Sequence, residues 1–141
     1  MSNAGLAWLL LCSALAVHVL DEALTDFLSV YNPIVRAIRR RAPFLPLPTF
    51  SFRTWIGGLI LGTTLMLCLT PFAWHGNGWM TPLSYLFAVL MLANGLMHIA
   101  GSLYMKRMMP GVYSAPLLVA CSIYLLACAP ALTCPFQAAS F

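Results

Sequence analysis

Long apolar runs alternate with short polar stretches along the whole chain, and the runs come four times. The first begins near Gly5, is purely apolar to about Leu20 and keeps a helical pattern to Asn32-Pro33, where proline is expected to stop it. The others cover about 52–74, 82–104 and 112–133. A helix needs roughly 20 residues to cross a hydrocarbon core of about 30 Å, so each run reaches that length. Backbone N–H and C=O groups in lipid must bond within their own segment, which makes helices of all four. The pattern therefore predicts an all-α fold, a four-transmembrane-helix bundle over residues 1–141 as a single domain, with helices at about 5–31, 52–74, 82–104 and 112–133.

The intervening stretches set the expected topology. Arg36, Arg39, Arg40, Arg41 and Arg53 fall between the first two runs, and Lys106 and Arg107 between the last two. Prolines 43, 46 and 48 make the middle of the first linker extended. The connection His75-Gly76-Asn77-Gly78 carries no Lys or Arg. All seven basic residues thus lie on one side of an even-numbered bundle. The positive-inside rule puts the loops with Arg36–Arg41 and Lys106–Arg107 in the cytoplasm, and both termini outside, in an integral protein of a bacterial inner membrane. No basic residue precedes the first run, so it reads as a retained span and not as a signal peptide. Ser2-Asn3-Ala4 is set aside as a cloning remnant.

Composition agrees. Of 141 residues 62% are hydrophobic and 7% charged, and mean hydropathy is +0.90. A soluble domain carries about 25% charged residues. The net charge of +4 does not point to nucleic acid, because the bases sit in short stretches between spans. The expected partner is membrane lipid or a hydrophobic small molecule. The five cysteines, Cys12, Cys68, Cys121, Cys128 and Cys134, form no C-x-x-C pair and read as small apolar core residues. Gly58-x-x-x-Gly62, one turn after Thr54, reads as a helix-packing face.

The chemistry concentrates in one place. Asp21, Glu22 and Asp26 are the chain's only acids, and they stand beside His18 at the end of an apolar run. At about 100° per residue, Asp21, Glu22, Thr25, Asp26 and Ser29 share a helix face with His18, below an apolar stretch through Leu11, Ala14 and Leu15. Asn94, His98 and Ser102 make a second stripe on the third run, flanked by Gly95 and Gly101. His18 and His98 lie roughly 20 and 24 Å down two parallel helices, so they are expected at similar depth. His18, Asp21 and Glu22 should face Asn94 and His98. A carboxylate and an imidazole in a poorly solvated pocket suit acid–base chemistry. The same groups suit a divalent metal, with His18, Glu22 and His98 as ligands. Three further readings use them differently. Glu22 could be the coupling acid of a small proton-coupled transporter. His18 and His98 could be the axial ligands of a b-type haem. The acids could instead emerge into the interface and pair with the arginines of a structural subunit. Asp26 reads as the cytoplasmic exit of the stripe, and His75 as solvated.

His18-x-x-Asp21-Glu22, then Asn94-x-x-x-His98, then Arg107-Met108-Met109-Pro110-Gly111-Val112-Tyr113 together resemble the HXXEE family of small multi-pass bacterial membrane proteins. The resemblance covers His18 to about the fourth span and departs from the family motif at Asp21, which stands where a Glu is expected. It implies an enzyme with the His, Glu and Asn residues at its site. Pro110-Gly111 reads as a turn, and Tyr113, Arg107 and Ser102 are expected to bind substrate at the cytoplasmic mouth. The arrangement is also similar to the emopamil-binding type of sterol isomerase, which places His and Glu in a small helical bundle and moves a proton on a lipid-like substrate.

Overall fold

The computed structural model describes residues 3–129. They form six helices and, among the described residues, no strand: α1 (Asn3–Leu24), α2 (Phe27–Arg41), α3 (Phe52–Cys68), α4 (Thr70–Trp74), α5 (Met80–Met105) and α6 (Ala115–Cys128). Three stretches are long and apolar enough to cross a membrane: Asn3–Leu24, Phe52–Trp74 and Met80–Met105. The expected fourth span is represented by α6, an apolar helix of 14 residues. Its expected end near residue 133, and Cys134, lie outside the described residues.

The first helix does not run to Pro33. It breaks at Thr25-Asp26, where Asp26 takes a left-handed conformation with φ 55°. Aspartate is among the few non-glycine residues that adopt it readily. Thr25 Oγ1 donates to the Asp21 carbonyl at 2.6 Å, and Ser29 Oγ to the Asp26 carbonyl at 2.8 Å. These local bonds replace helical ones at the break. Pro33 instead lies inside α2, on an exposed face where the lost N–H bond disturbs no packing. Arg36, Arg39, Arg40 and Arg41 therefore lie on a helix and not in the loop between the first two spans. Arg39–Arg41 form its last turn, where cations complement the helix dipole. Apolar Leu28 and Val35 on α2 are buried, while its arginines are exposed. The extended linker begins after Ala42, and Asn32 clamps it by donating to the Phe50 carbonyl at 3.0 Å and accepting from the Phe50 N–H at 3.1 Å.

Pro71 interrupts the second span, which kinks at Leu69 between α3 and α4. The core lies around α1, which packs against α3, α4, α5 and α6. Trp8, Leu11 and Cys12 of α1 meet Met80, Phe87 and Ala88 of α5 and Leu118 and Leu125 of α6. Ala4 is buried at 1% exposure and Asn3 opens the helix, so these two positions belong to the fold. Gly95 permits the close approach of α5 and α6: a Cβ there would stand 2.8 Å from Val119 Cγ2. Gly58 and Gly62 do not perform this task, since a Cβ at either would meet nothing within 4 Å. The glycines of the G-x-x-x-G pattern are therefore not close-packing positions of this bundle. Of the described cysteines, all unbonded, Cys12 is buried but Cys68 is exposed, so Cys68 is not a core residue.

Trp8 anchors this core. It is 0% exposed, packs 5.1 Å from the Phe87 ring and donates from Nε1 to the Met66 carbonyl at 3.0 Å. Trp8→Ala is expected to lower stability by about 3–5 kcal/mol in detergent thermal unfolding, whereas Tyr104→Ala, at a 90% exposed position, should stay within about 0.5 kcal/mol of wild type.

Candidate functional site

His18 and Glu22 stand one turn apart on α1, and Asn94 and His98 one turn apart on α5. Equal spacing on two facing helices brings the four side chains together. The imidazoles of His18 and His98 meet edge to face with centroids 4.8 Å apart. Glu22 Oε1 lies 3.0 Å from His98 Nε2 and 3.6 Å from His18 Nε2. All three residues are buried, at 0% (His18), 6% (Glu22) and 2% (His98) exposure. Among the described residues, the ion-pair partners of Glu22 are thus the histidines, and Asp21 binds Ser114; no acid is paired with an arginine.

Hydrogen bonds assign the ring protons. Ser114 Oγ donates to Asp21 Oδ2 at 2.7 Å, and the Ser114 N–H donates to the same oxygen at 2.8 Å. With its one proton committed, Ser114 Oγ accepts from His18 Nδ1–H at 2.8 Å. Asn94 Nδ2 then donates to His18 Nε2 at 3.1 Å. His18 is in this way a neutral imidazole whose Nε2 lone pair faces the cluster. His98 Nδ1 donates to the Pro110 carbonyl at 2.6 Å, which also turns its Nε2 inward. A contact of 3.0 Å between that nitrogen and a carboxyl oxygen requires a proton between them. Either Glu22 or His98 donates in this contact.

Asp21 does not reach this contact. Its carboxylate holds Ser114, which holds His18. The three expected substrate contacts are also elsewhere. Tyr113 is 68% exposed and points away, because the turn at Gly111 delivers Ser114, not Tyr113, to the site. Arg107 is exposed and its guanidinium contacts only Met105 Sδ, at 4.0 Å. Ser102 donates to the His98 carbonyl and accepts from the Met109 N–H at 2.9 Å, so it fastens the loop after α5. Asp26 and His75 are exposed.

Ser114 and Phe27 were not legible as site residues; Thr25 was legible only as part of the polar stripe, and Gly111 only as part of the Pro110-Gly111 turn. Gly111 has φ 83°, and a Cβ on it would stand 2.8 Å from His98 Cε1 and 2.9 Å from Glu22 Cγ. Its N–H donates to Thr25 Oγ1 at 3.2 Å, so the break in the first helix receives the loop that closes the site. Just past the break, Phe27 lies 5.6 Å from the His98 ring and 5.9 Å from Trp55. An apolar cavity of about 380 Å³ reaches His18, Glu22 and Asn94 between Phe27, Trp55, Leu59 and Leu90. A second, of about 280 Å³, reaches His98 and Asn94 past Tyr31, Ile34 and Met97.

Residues 8–125 match the family described as "Protein of unknown function with HXXEE motif". The chain belongs to the HXXEE family. No curated protein and no solved structure matches it. In this HXXEE protein the two acids of the motif have different partners: the second, Glu22, contacts both histidines, and the first, Asp21, binds Ser114. The shorter side chain at position 21 suits the second task, since the serine stands directly against α1.

Gly111→Ala would force a side chain into a left-handed conformation and against two members of the cluster. It should cost about 1–3 kcal/mol from backbone strain alone, with a further loss from the clash. Gly58→Ala should be neutral or stabilising by up to about 1 kcal/mol. Paired melting curves in one detergent check the contrast.

Proposed function

We propose that this protein is an intramembrane enzyme that performs acid–base chemistry on a hydrophobic or lipid-like substrate. The observation that carries the proposal is the 3.0 Å contact between Glu22 Oε1 and His98 Nε2, a shared proton at the inner end of apolar cavities. Buried ionisable groups in an apolar helix are functional candidates because they are costly to keep there. Here their cost is met by specific partners: Pro110 for His98, and Ser114 with Asp21 for His18.

Glu22 and His98 form the proton-transferring pair. His98 Nδ1 stays bonded to a carbonyl, so proton exchange takes place at Nε2, on the side facing Glu22. His18 offers a second basic nitrogen, with Asn94 as a hydrogen-bond donor that can turn to a polar group of the substrate. The walls of Phe27, Trp55, Leu59 and Met97 would accept an alkyl or polycyclic body. The cavity of about 380 Å³ lies within the range of about 300–1,000 Å³ typical of small-molecule sites, and that of about 280 Å³ just below it. The haem alternative is less well supported, because Glu22 Oε1 lies between the two imidazoles where a macrocycle would pass.

The basic residues suggest where the site sits. With three apolar helices and α6 as a fourth span, Arg36–Arg41 and Lys106–Arg107 flank the cluster's end of the bundle. The positive-inside rule makes that end cytoplasmic in a bacterial inner membrane, with α2 as an interfacial helix and both termini outside. Alkaline phosphatase fused after Phe141 should then be active and a fluorescent-protein fusion dark; the reverse pattern would overturn the orientation.

Turnover is tested by incubating the purified protein in nanodiscs with a polar lipid extract and following the lipids by mass spectrometry. Glu22→Gln and His98→Ala should each cut conversion by about 10²–10⁴-fold, the usual contribution of a general acid or base, while both still fold. Full activity in both variants would refute the reading.

A further inference from the structure

We propose that His18, Glu22 and His98 bind one divalent transition-metal ion of the zinc or iron class. The proposal deepens the preceding reading, in which the same cluster is the reaction centre, and its test separates the two.

Three ligand atoms of the right kind converge. One from each residue lies within 4.8 Å of the others, and Glu22 Oε1 is 3.0 Å from His98 Nε2 and 3.6 Å from His18 Nε2. Bonds of about 2.0–2.2 Å to a four-coordinate ion put neighbouring ligand atoms roughly 3.3 Å apart. The two carboxylate–imidazole distances bracket that value, and closing the widest ligand-atom separation, up to 4.8 Å, to about 3.3 Å completes the set. The protein also supplies what lies behind the ligands. Metal-binding histidines donate their other ring N–H to an acceptor, which fixes the tautomer and aims the lone pair. Both histidines do so here, His98 to the Pro110 carbonyl and His18 to Ser114. The relay from His18 through Ser114 ends on a carboxylate, Asp21.

Charge selects a divalent ion. Glu22 and Asp21 together carry two negative charges, and the imidazoles are neutral as ligands. A 2+ ion therefore leaves the buried assembly electrically balanced, which matters where uncompensated charge is costly. The ion takes the position of the proton between Glu22 and His98. Two imidazoles and one carboxylate suit zinc or iron better than magnesium or calcium, which prefer all-oxygen sites. Three protein ligands beside a cavity leave a coordination position open, as catalytic sites do. Asn94, which donates to His18 Nε2 at 3.1 Å, gives up that bond and can turn its carbonyl oxygen inward.

The test uses full-length protein without a histidine tag, stripped with chelator and loaded with Zn²⁺ or Co²⁺ alone. Elemental analysis after gel filtration should find one Zn²⁺ per chain, and almost none in His98→Ala or the near-isosteric Glu22→Gln. Ser114→Ala keeps every ligand and should weaken Zn²⁺ binding about 10–100-fold, the usual effect of removing a ligand's supporting partner. The Co²⁺ form should show visible d–d bands without the intense near-ultraviolet bands of thiolate ligation, which rules out the cysteines as ligands. Absence of stoichiometric metal from folded wild type, or equal metal in folded Glu22→Gln, overturns the metal site. Lipid turnover that survives chelation overturns the metal's role and leaves acid–base catalysis standing. Bound metal with no turnover supports the site and counts against the enzyme reading alone.

Discussion

The contact between Glu22 on α1 and His98 on α5 sets the terms for the rest of this molecule. A carboxyl oxygen 3.0 Å from an imidazole nitrogen, in the interior of a mostly apolar bundle, is costly unless the polar groups around it find partners too. The chain answers with one segment. Residues 110–114 give a carbonyl to His98 and a hydroxyl to His18. The same segment binds back to α1 through Thr25 and Asp21. The loop before α6 is therefore as much a part of the site as the helices are, and Gly111 is the residue that lets it come close enough.

The helix break at Asp26 belongs to the same design. A continuous helix to residue 31 would carry Phe27 along the α1 axis. The left-handed residue ends α1 one turn after Glu22, gives Thr25 to the loop and starts α2 in a new direction. Phe27 can then lie against both His98 and Trp55. The arginines of α2 are exposed while Phe27 makes this aromatic contact, so one short helix both meets the site and presents charge.

Small residues perform different tasks according to what faces them. Gly5 and Gly95 lie under Trp74 and Val119, where an added carbon would collide. Gly58 and Gly62 have the familiar four-residue spacing but face no atom within reach. Spacing identifies a face that permits close approach. It does not say whether another helix approaches it.

Much was readable from the residues in order. Apolar runs of membrane-spanning length determined an all-helical chain, because unsatisfied backbone groups cannot remain in an apolar medium. Four-residue spacing determined that His18 shares a face with Glu22, and Asn94 with His98, because that is a property of one helix and needs no partner. The tertiary structure decided the rest. Whether α1 stops at Pro33 or Asp26 depended on the loop that binds Thr25, some 86 positions away. Which motif acid meets the histidines depended on where Ser114 lands. Tyr113 and Ser114 are adjacent in sequence, yet the turn at Gly111 sends one outward and the other between His18 and Asp21. Contacts across such separations arise from how helices and loops pack, and local periodicity carries no record of them.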